Sequence, residues 1–196
     1  MRRMFSSSIG LLWVCMISLV FMSSCAKPPT QEVESAEKAI AEAKQKEADL
    51  YVQDEFVKAE EALKNAKELI GEKKYKEAKA AAETASGSAL KAISLVVINR
   101  EALKEETLKM VDATQKTLDE VKALASAAIR KKSPVSKEEL QTAIGQYELD
   151  LLSVKNQLQE QKIRAAHDLL VSLNEHIAGQ RETLTAAMEQ KKEAKR

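Results

Sequence analysis

Apolar residues recur along most of this chain at steps of three and four, the spacing of one face of a helix. Val33, Ala36, Ile40, Ala43 and Ala48 mark a first helix ending near Leu50. Phe56, Ala59, Leu63, Ala66 and Ile70 mark a second, with Asp54 as its N-cap and Gly71 as its stop. From Glu72 or Lys73 the pattern meets no breaker until Ser133-Pro134. That is about 60 residues, or roughly 85 to 90 Å at the helical rise. Gly87 is where a bend in this helix is expected, and the β-branched run Val96-Val97-Ile98 is expected to stay helical by context. In its second half Val111, Thr114, Leu118, Val121, Ala125 and Ala128 keep a coiled-coil register, which breaks between Arg100 and Thr107.

Lys131-Lys132 favour a helix end through the dipole, and Pro134 opposes continuation. Ser136 then stands three residues before Glu139, a capping box, and Leu140, Ile144, Tyr147, Leu151, Val154 and Leu158 follow in heptad steps. The stripe drifts through Ala165 or Ala166, Leu169, Leu173, Ile177, Leu184 and Met188, so a second long helix is expected from Ser136 to about Glu189. Two long helices joined by a short turn near residues 132–136 fold back most economically as an antiparallel hairpin. The expected fold is therefore all-α: an elongated helical bundle with a long, coiled-coil-like antiparallel hairpin over residues 93–196 and an alanine-rich helical domain over residues 31–92. The shorter helices cover the far end near Leu90, Ile93 and Val97, or dimerisation covers the exposed seam.

Composition leaves the helical reading with little competition, because only 4% of residues are aromatic and 5 are glycine, so strand candidates are few. The N-terminal residues depart from the pattern. Arg2 and Arg3 precede an apolar stretch from Ile9 to Met22, which falls short of the roughly 20 residues that span a bilayer. It is followed by Met22-Ser23-Ser24-Cys25. This leader resembles the signal peptide and lipobox of bacterial lipoproteins. The resemblance implies cleavage after Ser24, a diacylglyceryl thioether on Cys25, and acylation, for instance by palmitate, of the new amino terminus. Residues 1–24 would then be the signal peptide and residues 25–30, with Pro28-Pro29, a stiff spacer. Three acyl chains anchor durably, since each buried methylene contributes about 0.8 kcal/mol. No aspartate follows Cys25, which points to the outer membrane facing the periplasm. Arg2-Arg3-Met4-Phe5 partly matches a twin-arginine signal, but the strongly apolar stretch favours general secretion.

Loss of the leader removes Cys15, so no disulfide is available to the remaining chain. It also leaves 29 of the 31 basic side chains against 30 acidic ones, which excludes nucleic acid as an expected partner. Glu-to-Lys pairs four apart, such as Glu34 with Lys38 and Glu72 with Lys76, describe a solvated face.

Residues 28 to about 92 carry Pro28-Pro29, Ala36 to Ala43, Tyr51, Asp54-Glu55, Ala59, Leu63, Ala66, Tyr75-Lys76-Glu77-Ala78, Ala82 and Ala85. In this order they resemble the bacterial lipoprotein domain catalogued as domain of unknown function 4398. The resemblance covers about a third of the chain. It implies an envelope location and a helical fold, and no activity. Lys74-Tyr75-Lys76-Glu77-Ala78 is also similar to a tetratricopeptide turn, but a single copy makes no array.

No catalytic constellation is found. His167 and His176 are nine apart, on nearly opposite faces of a helix, so no shared metal is expected. There is no phosphate loop and no zinc motif, and the reading is of a non-enzyme without cofactor. Two roles follow. One is a structural tether or spacer in the cell envelope, with peptidoglycan or another copy of the chain as partner. It matches the peptidoglycan-linked lipoprotein of enteric bacteria in plan only, because this chain ends in Arg196 rather than lysine. The other is an adaptor or chaperone-like lipoprotein holding an envelope protein, which apolar residues left exposed at Leu90 to Ile98 or Leu169 to Leu173 would favour.

Overall fold

The structure is a computed structural model, which describes residues 27–193, with side chains as far as residue 190. Among the described residues it holds six helices and no strand: α1 (Thr30–Gln45), α2 (Ala48–Tyr51), α3 (Gln53–Gly71), α4 (Tyr75–Arg130), α5 (Lys137–Gln159) and α6 (Ile163–Glu193). The chain is thus all-α over this range.

Four of the turns between these helices use a left-handed residue, and none of the four is glycine. Glu47, Lys73, Lys132 and Gln161 have φ of 63°, 60°, 50° and 61°. Three of them make Schellman closures, in which orphan carbonyls at a helix end accept two back-reaching amides. Lys73 N–H donates to the Ile70 carbonyl (3.0 Å) and Lys74 N–H to Leu69 (2.9 Å). Lys132 and Ser133 repeat this on Ile129 and Ala128, and Gln161 and Lys162 on Leu158 and Gln157. Gly71 does end α3 as expected, but as its last helical residue; the left-handed position falls two residues later.

Two expectations change here. The second long helix, expected from Ser136 to about Glu189, is two helices, α5 and α6, broken at Glu160–Lys162. The cause lies in the stripe. Leu158 and Ile163 are both buried, yet they are five apart, and on one straight helix that step would turn the second about 140° away from the seam. A left-handed turn restores it. The same step separates Ala43 from Ala48, both fully buried, and the first helix accordingly ends at Gln45 rather than near Leu50. The N-cap half of the expected capping box is in place: Ser136 is the N-cap of α5 and its hydroxyl accepts from the Glu139 N–H at 3.3 Å. Asp54 lies in the first turn of α3 rather than before it. Helix α4 runs without a break through Gly87.

The chain divides into two units. The first comprises the described residues up to Ala41 together with Val57–Leu90. Its core is built largely of alanine: Ala36, Ala59, Ala66, Ala78, Ala82, Ala85 and Ala89 are fully buried. A seam of methyl groups lets helix backbones approach closely, at the cost of little apolar area per residue. Ion pairs flank it, Lys67 to Glu37 and Lys79 to Glu32, at 2.8 and 2.9 Å.

The second unit comprises Glu42–Phe56 and the chain from Lys91 onward. Three heptad stripes meet in it. Thr107, Val111, Thr114, Leu118, Val121, Ala125 and Ala128 come from α4, Leu140, Leu151, Val154 and Leu158 from α5, and Ile163, Ala166, Leu170, Leu173, Ile177 and Leu184 from α6. Lys122 pairs with Glu148 at 2.6 Å and Gln115 with Lys155 at 3.2 Å, so numbers fall along α4 as they rise along α5. Thr114 meets Asn174 and Glu120 meets Arg181, so α4 and α6 run the same way. The Thr114 hydroxyl lies 2.8 Å from the Met110 carbonyl and 2.7 Å from the Asn174 side-chain amide. Both partners are acceptors, the Met110 carbonyl and Asn174 Oδ1, so the single hydroxyl proton of Thr114 is shared between them.

Candidate functional site

Cys25, the expected lipidation residue, lies outside the described residues with the rest of the leader. The first described residues are those just after it. Pro29 is buried, and the Val33 N–H donates to its carbonyl at 3.1 Å, so the spacer joins α1 directly.

The two stretches expected to leave apolar side chains uncovered behave differently. Leu170 and Leu173 are core residues, and of the apolar side chains from Leu169 to Leu173 only Val171 is exposed. On α4, by contrast, Val97 is 71% exposed and Ile98 65%, while Val96 is buried. From Thr84 to Asn99 this helix carries a single charge, Lys91, and that ammonium pairs with Glu55. Helix α4 includes an 18-residue stretch apolar enough to cross a membrane by composition, of which one third is buried. A core helix of a water-soluble fold passes the same test.

The histidines stay apart in role. His167 Nδ1 lies 3.5 Å from Asp168, while His176 takes part through its backbone, whose carbonyl accepts from the Tyr147 hydroxyl at 3.5 Å. Burial raises the Tyr147 phenol above its ordinary value. Among the described residues no three metal-ligating side chains come together. Open grooves lie between helices. One of about 550 Å³ has Ile40 and Leu63 on its walls with Lys64 and Lys67. Another is lined by Thr117, Arg181, Glu182 and Thr185, and Arg181 is already paired with Glu120. These grooves offer mixed charge and no enclosed pocket, an arrangement suited to covering by a surface rather than to holding a small molecule.

Of the expected helix-surface ion pairs, Glu34–Lys38 forms at 2.8 Å, and Glu72 pairs instead with Lys74 at 2.7 Å. The bond from Lys38 holds the Glu34 carboxyl below its usual range, and that from Lys79 does the same to Glu32. The bond that Lys122 donates to the Glu148 carboxylate holds its ammonium above its usual range.

One residue that sequence reading marked only as the edge of a register break proves to be a junction. Arg100 reaches the Glu47 carboxylate (3.5 Å), the Tyr51 ring (5.7 Å to its centroid) and the Gln161 carbonyl (2.9 Å). Its signal in the sequence is slight: a charge four residues after Val96, where the seam would continue.

No family model, no curated protein and no solved structure matches this chain.

Proposed function

We propose that the protein is a lipid-anchored lipoprotein of the bacterial cell envelope, held by acyl chains on Cys25, that serves as a non-enzymatic structural tether or spacer. The outer membrane facing the periplasm is its proposed location. The observation that carries this reading is the pairing of a lipobox-like leader, Met22 to Cys25, with an unbroken 56-residue helix, α4. Such a helix rises about 84 Å, enough to separate two layers, and a hairpin-based, elongated body would deliver that reach. The proposal rests on the leader and the helices rather than on the family likeness of residues 28–92. Metabolic labelling with palmitate tests the anchor: label enters the protein and is absent from Cys25→Ala. Label on that variant, or none on either, ends the reading.

A second reading, an adaptor that binds an envelope protein, is favoured by the exposure of Val97 and Ile98 on a helix otherwise short of charge. Crosslinking in intact cells separates the two. One stoichiometric protein partner supports the adaptor, whereas recovery with the sacculus or with other copies of the chain supports the tether.

A further inference from the structure

Glu47 and Gln161 are both left-handed, non-glycine turn residues, one closing α1 and the other closing α5, and Arg100 touches both. Its guanidinium has five N–H donors in a planar fork, so it can serve a carboxylate and a carbonyl at once while its face lies over an aromatic ring. One nitrogen, Nη1, faces Glu47 and the other, Nη2, donates to the Gln161 carbonyl, with the Tyr51 ring 5.7 Å away. The preceding residue works in the same direction, since the Asn99 side-chain amide donates to the Tyr51 carbonyl at 2.9 Å.

The location has a reason. Seam positions on α4 step 89, 92, 96 and then resume with Thr107 and Val111, and the interval from Val96 to Thr107 is eleven residues. Eleven residues make three turns of 3.67 each, so the left-handed coiling implied by the heptads relaxes there, and no side chain between Val96 and Thr107 is fully buried. Arg100 sits in that interval, with about a third of its side chain exposed. Neither turn it holds has glycine to ease the left-handed backbone, so each is poised to open.

We propose that Arg100 is a latch coupling the turns at Glu47 and Gln161, so that they open and close together. The turns at Lys73 and Lys132, which have the same backbone form, serve as internal controls because the Arg100 guanidinium is engaged at the Glu47 and Gln161 turns.

Hydrogen exchange on the full-length protein tests this. The reporters are the amides of Glu47, Tyr51 and Val52 at one turn and of Gln161 and Lys162 at the other, all hydrogen-bonded to backbone carbonyls. Arg100→Ala speeds exchange at both turns by about tenfold, the effect of losing a charged hydrogen bond, and leaves the Lys73 and Lys132 turns unchanged. Arg100→Lys, a single point charge, restores protection at Glu47 but not at Gln161. The decisive variant is Glu47→Ala, which touches one turn only: coupling requires that exchange at Gln161 and Lys162 also quicken. If it quickens at Glu47 alone, or if Arg100→Ala affects one turn or the whole protein evenly while Glu47→Ala leaves Gln161 untouched, the latch is overturned.

Discussion

At the scale of single residues, the turns carry the most strain. Gln161 holds a left-handed backbone that costs an L-residue about 1–2 kcal/mol and that glycine adopts freely. Gln161→Gly is therefore expected to stabilise the protein by about 1 kcal/mol, read as a higher urea midpoint at unchanged slope. Charge effects are smaller. The Glu32 carboxyl is held below its ordinary value chiefly by the hydrogen bond from Lys79. A depressed carboxyl contributes stability above its unfolded value and loses it as pH falls through the folded one. Lys79 is exposed and Glu32 half-buried, so solvent screening keeps the contribution slight, but the titration itself is measurable. Lys79→Ala returns the Glu32 midpoint upward toward an ordinary glutamate, as carboxyl NMR shifts would report. None of these left-handed residues was legible in advance, because Glu, Lys and Gln have no preference for that conformation and no glycine marks the spot.

At the scale of helices, the helical type was legible and several boundaries were not, among them the end of α1 at Gln45 and the break between α5 and α6. Period-3.6 stripes over Phe56 to Ile70 and Val111 to Ala128 correspond to α3 and α4, and the capping box at Ser136 starts α5 where expected. The break after Gln159 was readable only as arithmetic, the five-residue step from Leu158 to Ile163, and good helix formers on both sides disguised it. The two units place different demands on their seams. Leu118, fully buried among three stripes, leaves a cavity when truncated, and Leu118→Ala is expected to cost about 2–5 kcal/mol in denaturant unfolding. Ala82 is fully buried in the alanine seam, so Ala82→Leu is expected to destabilise by about 1–3 kcal/mol through overpacking, although it adds apolar surface. A thermal melt of each variant distinguishes the two kinds of core.

At the scale of the whole molecule, the proposed anchor and the exposed face of α4 make separate predictions. Cys25→Ala moves the protein from the membrane pellet to the soluble fraction if acyl chains hold it. Val97→Asp with Ile98→Asp leaves that fractionation unchanged, since neither residue is in the core. Under the adaptor reading the double variant also abolishes the partner crosslink, whereas under the tether reading the crosslinking pattern stays the same. The candidate site was legible to unequal degrees. Leu90 to Ile98 stood out as a nearly uncharged interval in a chain where 31% of residues are charged, and three of its apolar side chains, Leu90, Val97 and Ile98, are exposed. Leu169 to Leu173 looked equivalent in pattern, yet Leu170 and Leu173 are core because α6 turns back along α5.

The sequence by itself determined that this chain is helical, where most helices begin, and which faces are apolar, because these follow from local periodicity, capping and composition. The anchor proposed at Cys25 likewise rests on the sequence alone, since the lipobox-like leader is written in consecutive residues. Only the tertiary structure decided that the second arm is two helices, that alanines fill one core and branched side chains the other, and that Arg100 joins two turns far apart in the chain. Those outcomes depend on which stripe meets which, and pairing between distant segments leaves no mark on neighbouring residues.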